Sequence, residues 1–126
     1  MSNPDREPAT AHEEFVKYFN AGDLDGLVSL YEDDATMVNA DGTQQSGKAV
    51  IRTALEGFLA AGNDITLDTR YAARCGDLAL LSNEWRLRGT GPNGETTEIG
   101  GTTTEIVRLH PDGVWRYVVD HPWGGQ

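Results

Sequence analysis

The chain has a single cysteine, Cys75, so no disulfide can form within it and packing alone must hold the fold. That usage agrees with a reducing compartment. Cys75 lies in a strand-like segment and is expected to be a small buried or half-buried residue, since no partner that would activate its thiol stands near it in sequence. Long apolar runs are also missing, and none approaches the roughly 18–20 residues of a membrane span. The stretch Met1–Pro8 is polar and carries Pro4 and Pro8, unlike a secretory leader. A cytoplasmic protein with no membrane partner is therefore expected. Positive charge is scarce: ten Lys and Arg stand against twenty Asp and Glu, a net charge of −10. The ten are scattered, whereas phosphate contacts need clusters, so no nucleic-acid partner is expected.

Several reactive patterns are absent too. Ser29, Ser46 and Ser82 lie in no G-x-S-x-G elbow. His12, His110 and His121 are far apart and form no H-E-x-x-H pattern, so no metal is expected, although Asp120, His121 and Glu105 can still meet in space. Residues Gly42 to Ala49, GTQQSGKA, approach a phosphate-binding loop, but Ala49 stands where a Ser or Thr must hold magnesium. That stretch is read as a helix start capped by Ser46 or Gly47. No cofactor is called for.

What the chain does contain is a change of period. Its 126 residues suit one domain. Met1–Pro8 reads as a disordered arm, residues 9–123 as the domain and 124–126 as a tail. Thr10-Ala11-His12-Glu13 has capping-box form and starts a helix with Phe15, Tyr18 and Phe19 on one face, ended by Gly22. Asp23 is placed to cap a second helix, in which Leu24, Leu27, Val28 and Tyr31 fall at i, i+3, i+4 and i+7. The acidic run Glu32-Asp33-Asp34 reads as a solvated elbow, Ala35–Asn39 as the first strand and Asp41-Gly42 as its turn. Gln44–Ser46 suits a short second strand. A third helix is predicted from Lys48 to Ala61, with Ile51, Leu55, Phe58 and Leu59 on one face and Gly62-Asn63 as its stop. Strands follow. Asp64–Arg74 alternates, and Leu78–Arg88 puts Leu81, Asn83, Trp85 and Leu87 on one face. Glu95–Leu109 is long and expected to bend at Gly100-Gly101, and Val114–His121 closes the chain. Three helices and a late antiparallel meander make an α+β domain.

The elbow residues Gly22-Asp23, Tyr31, Asp33-Asp34-Ala35-Thr36 and Gly47-Lys48 fall in the order seen in a known superfamily. With Thr104–Arg108, Asp112–Arg116 and Asp120-His121-Pro122, they resemble the nuclear transport factor 2, ketosteroid isomerase and SnoaL-like cyclase superfamily, over roughly Thr10 to Pro122. The resemblance implies a cone-shaped α+β fold whose curved sheet encloses a small-molecule pocket. The isomerases carry a carboxylate base where this chain has Asn39, and an oxyanion-donating tyrosine where it has Phe15, with Tyr18 one turn on. Their second donor, a carboxylic acid, corresponds to Glu105. The SnoaL-like cyclases place an acid–base carboxylate on the last strand, which Asp120 matches.

The implied activity is therefore general acid–base chemistry without a cofactor. It would isomerise or cyclise a polyketide-like or other apolar carbonyl compound, with Asp120, Glu105 and Asn39 as catalytic candidates. Phe15, Tyr18, Phe19, Tyr31, Met37, Phe58, Leu81, Asn83, Trp85, Val107, Val118 and His121 are the candidate pocket residues. Other readings stay open: a non-catalytic ligand-binding or assembly module, and epoxide opening by a water held between the carboxylates and Asn39. Asp120 can instead bond a core Tyr or Trp or pair with Arg116 or Arg86, Glu105 can pair with an Arg, and Asn39 can serve its own turn. Strand parity alone does not decide whether Asp120 or His121 faces inward. A homodimer is expected to cover the outer sheet face.

Overall fold

The computed structural model describes residues 7–125. The segment read as an arm lies outside them except for Glu7 and Pro8, and so does Gln126. Glu7 accepts hydrogen bonds at its backbone oxygen from the Thr10 amide and hydroxyl, so these two residues belong to the turn entering the first helix. That helix, α1, spans Thr10–Asn20. Its capping box does not form: Ala9 is the N-cap and Thr10 is already inside the helix. α2 covers Leu24–Ser29, and here the expected cap holds, with Asp23 Oδ1 accepting from the Gly26 amide at 2.9 Å.

The first strand differs most from expectation. β1 runs Tyr31–Val38, so Tyr31 opens a strand instead of closing a helix, and Glu32–Asp34 lie within it. The helix stops because the chain must bring Tyr31 alongside Tyr117 of the last strand in parallel pairing. The pairing then breaks until Thr36 meets Val119, and the acidic residues occupy the irregular interval. β2 (Gln44–Ser46) forms an antiparallel hairpin with β1, and α3 (Lys48–Ala61) follows from Gly47, whose φ of +104° only glycine adopts readily. The loop-like GTQQSGKA stretch is therefore a hairpin arm and a helix start, without the parallel strand–loop–helix context a nucleotide needs.

β3 (Asp64–Cys75), β4 (Leu78–Thr90), β5 (Thr96–Thr102), β6 (Thr104–Leu109) and β7 (Trp115–His121) complete a seven-stranded mixed sheet among the described residues. Its order is β2-β1-β7-β6-β4-β3, with β5 also on β4. The sheet is curved and not closed, with β2 and β3 at its edges. β5 and β6 are the expected long strand cut in two, yet the cut falls at Thr103 and not at Gly100-Gly101. Gly100 instead permits close β4–β5 pairing, since a Cβ there would lie 2.4 Å from the Trp85 backbone oxygen.

The core lies between the helices and the concave face. Phe19, Leu27, Tyr31, Ile51, Leu55, Leu81, Leu87, Val107, Trp115 and Tyr117 are buried there. On β4 the alternation is as read, with Leu81, Asn83, Trp85 and Leu87 all inward. Cys75 is exposed at the end of β3, contrary to expectation, because β3 is an edge strand exposed from Asp68 onward. No helix among the described residues is long and apolar enough to cross a membrane.

Candidate functional site

Two carboxylates meet inside the cone. Glu105 on β6 and Asp120 on β7 are direct cross-strand partners, a relation that sets Cβ atoms about 5 Å apart on one face. Both are buried, with 4% and 7% of their surface exposed. They line a narrow cavity of about 40 Å³, walled otherwise by Phe15, Phe19, Met37, Leu55, Phe58, Ile65, Leu67, Trp85, Thr103, Tyr117 and Pro122.

Two sheet irregularities place these groups. Ile106 pairs with Val119 but Val107 pairs with Tyr117, so Val118 is an extra residue on β7. That bulge lets both Tyr117 and Asp120, three positions apart, face the cavity, which regular alternation forbids. It also settles the inward residue as Asp120: His121 pairs with Thr104 and does not line the cavity. The second irregularity is the break at Thr103. The Thr103 amide donates to the Asn83 carbonyl at 2.8 Å, its hydroxyl accepts from the Asn83 amide at 2.9 Å, and its carbonyl accepts from the Ser82 hydroxyl at 2.6 Å. Side chains thus complete the ladder at the cut, and Glu105 resumes the strand facing inward opposite Leu81.

A buried polar network surrounds the pair. Glu105 Oε1 accepts from the Thr103 hydroxyl and, at 3.1 Å, from Asn83 Nδ2. The Asn83 amide nitrogen also lies over the His12 imidazole, 2.6 Å from Nε2 and 3.3 Å from Nδ1, and Thr69 donates to its oxygen at 2.9 Å. His12 Nδ1 is 3.0 Å from the Tyr117 hydroxyl and 3.9 Å from Glu105 Oε2. Asp120 Oδ2 accepts from the Tyr31 hydroxyl at 2.6 Å. Among the described residues neither carboxylate pairs with an arginine: Arg116 holds Asp112, and Arg86 faces Glu98.

The electrostatics follow from burial without a counter-charge. Loss of hydration, then the neighbouring Asp120 carboxylate, push the Glu105 carboxyl up to about 8 against its hydrogen bonds from Thr103 and Asn83. Burial raises Asp120 to about 6, opposed by the Tyr31 bond. Burial lowers His12 to about 4, so its imidazole is neutral at neutral pH. Near pH 7 two carboxyls this close and this buried therefore share a proton between them.

The other expected site residues divide. Phe15, Phe19, Met37, Phe58 and Trp85 line the cavity. Tyr31 and Asn83 support the carboxylates from behind, and Leu81 and Val107 are buried core. Tyr18 packs under Gly26 away from the cavity, and Val118 is taken out of it by the bulge. Asn39 is not at the site. It sits in the turn after β1, half-exposed, with its amide donating to the Thr43 hydroxyl at 2.9 Å and its backbone closing the turn. The grouping of Asn39 with two carboxylates that epoxide opening needs is not assembled. Trp85 is both wall and core: it lines the cavity while its indole donates to the Pro122 oxygen at 2.8 Å and Trp123 packs on its ring. Sequence reasoning missed Tyr117, Thr103 and His12. Tyr117 carries a β7 parity signal hidden by the bulge, whereas nothing in the sequence around His12, at the start of α1, signals that its ring reaches the carboxylates. Among the described residues no group of three metal-ligating side chains forms.

A curved open sheet with three helices over its concave face is the cone-shaped architecture of nuclear transport factor 2-like and ketosteroid isomerase-like structures. The profile of the SnoaL-like domain matches residues 12–124, so the chain belongs to that family. Solved structures agree on the fold. A conserved protein from Planctomyces limnophilus superposes with a TM-score of 0.76 at 18% identity, covering 89% of this chain and 88% of its own. A ketosteroid isomerase-like protein from Erwinia carotovora atroseptica gives 0.76 at 17% identity, covering 93% and 95%. A nuclear transport factor 2-like superfamily protein from Salmonella enterica gives 0.72 at 16%, covering 90% and 84%.

Proposed function

We propose that the chain is an enzyme of general acid–base chemistry acting on a small, largely apolar carbonyl compound, by isomerisation or cyclisation. The observation that supports this most is the directly paired Glu105 and Asp120 in the wall of an apolar cavity. Ionised Asp120 takes a proton from carbon next to the carbonyl. Protonated Glu105 donates to the developing oxyanion, and Tyr117 offers a second hydroxyl nearby. Pushing two carboxyls apart in proton affinity is how one site holds an acid and a base at the same pH. Asn39 has no part in this scheme.

The test uses 2-tetralone in D2O, with exchange of its α-hydrogens followed by NMR. The wild-type protein is expected to accelerate exchange, and Asp120→Asn to reduce the acceleration about 100-fold or more. A folded Asp120→Asn variant that exchanges at the wild-type rate would overturn the assignment. One observation favours a second reading, a non-catalytic ligand-binding or assembly module: a cavity of about 40 Å³ has room for about three waters. Wild-type protein that leaves the ketone unexchanged decides for that reading.

A further inference from the structure

Each buried carboxylate has one oxygen already occupied and one that is not. Asp120 Oδ2 is held by Tyr31 and Glu105 Oε1 by Thr103 and Asn83, whereas Asp120 Oδ1 and Glu105 Oε2 accept no hydrogen bond from any described residue. Both residues are more than nine-tenths buried and both line the cavity. Among the described residues no Lys or Arg lines it. Six of the ten Lys and Arg are engaged in ion pairs away from the cavity: Lys48 with Asp33, Arg52 with Asp25, Arg86 and Arg88 with Glu98, Arg108 with Glu32, and Arg116 with Asp112. A buried anion with open acceptors and no counter-charge is costly, and proteins ordinarily pair such groups. The rest of the wall carries the rings of Phe15, Phe19, Phe58, Trp85 and Tyr117, whose faces attract cations.

We propose that the cavity selects ligands bearing a protonated amine, seated between Asp120 Oδ1 and Glu105 Oε2 with the apolar body against the aromatic wall. The ligand supplies the missing counter-charge. This names a ligand class for the same cavity and rests on the reading above only for the location of the site. The ammonium head fits the cavity as it stands. The body of a one-ring amine must displace wall side chains, and Phe15 and Phe58 are the half-buried aromatic ones. Carboxylate or phosphate ligands are repelled, locally by Asp120 and at long range by the net charge of −10. The titratable groups facing the seat are His12 from α1, Tyr31 from β1, Glu105 from β6, and Tyr117 and Asp120 from β7; α3, β3 and β4 bring none.

Calorimetric titration of the full chain with benzylamine, benzyl alcohol and benzoate tests this. At about pH 7.5 benzylamine is expected to bind at least about tenfold more tightly than benzyl alcohol, the worth of one charge-assisted hydrogen bond, with no binding of benzoate. Repeating the titration in buffers of different ionisation heat should show protons released, because a seated cation lowers the proton affinity of both carboxyls. Asp120→Asn should remove the amine preference. If that variant fails to fold, the wild-type protein at about pH 5, where Asp120 is protonated, should show the same loss. Equal affinity for the amine and the alcohol, tighter binding of benzoate, no binding of benzylamine, or proton uptake on binding each overturns the proposal. Amine selectivity without exchange of 2-tetralone leaves it standing and removes the acid–base reaction; exchange without amine selectivity does the reverse.

Discussion

At the scale of residues, the buried polar groups at the centre of the cone oppose folding near neutral pH, and the direction of that effect can be derived. Glu105 and Asp120 have folded-state proton affinities raised above their ordinary values. Between those ordinary values and about 8 the folded state binds more protons than the unfolded one, so stability is highest at the acid end of that window and falls as pH rises through it. His12 is lowered to about 4, so its contribution runs the other way: it is present above about 6.5 and lost as pH falls through 4. Glu105→Gln removes one carboxyl from this balance. Its melting temperature relative to wild type is expected to rise steadily from pH 5 to pH 8, measured by thermal unfolding at intervals across the range. A constant difference would contradict the burial of an ionisable Glu105. His12→Phe deletes the imidazole contact to Asn83 and Tyr117 and leaves the Tyr117 hydroxyl a partner short, which costs about 1–3 kcal/mol by urea unfolding.

At the scale of elements, function depends on where strands are irregular. The cut at Thr103 and the bulge at Val118 turn Glu105, Tyr117 and Asp120 inward together. Thr103→Val keeps the shape but leaves the buried Asn83 backbone amide without its acceptor and Glu105 with one of its two donors removed. It should destabilise by about 1–3 kcal/mol, while Thr103→Ser, which keeps the hydroxyl, should stay within about 1 kcal/mol of wild type. Equal losses in the two variants would show that the hydroxyl is not what holds the cut. Helix α3 docks on β4 just as tightly: a Cβ on Gly89 would lie 2.5 Å from the Ala61 oxygen. Gly89→Ala is therefore expected to lower stability by about 1–3 kcal/mol, read from the urea midpoint. The helices and most strands were legible because their apolar periods are strong. The irregularities were not, because one inserted residue carries no mark in the period and its cost is met by side chains far away in sequence.

At the scale of the whole molecule, the convex face of the sheet is what remains unaccounted for. Ala73, Leu80, Ile106 and Val119 are successive register partners across β3, β4, β6 and β7, and so form an apolar row on the side opposite the cavity. Leu80 is 39% exposed and Tyr71, nearby on β3, is 44% exposed. We propose that a second copy of the chain covers this row. Light scattering on the eluting peak is expected to give twice the chain mass at micromolar concentration, and Leu80→Lys to halve it. A wild-type monomer would refute the pairing.

The sequence by itself determined the α+β class, the three helices and the inward face of β4, because each is encoded by local period or capping chemistry, and its resemblance to the family pointed to the two acidic candidates. It also showed that Asn39 cannot act as a base. Only the tertiary structure decided that Asp120 and not His121 faces the cavity, that Asn39 closes a turn instead of joining the site, and that His12 and Tyr117 complete the network. The physical reason is that facing in a sheet is a matter of parity. A single bulge at Val118 and a single cut at Thr103 reset that parity, and both are fixed by cross-strand hydrogen bonds that exist only once the cone has closed around its core.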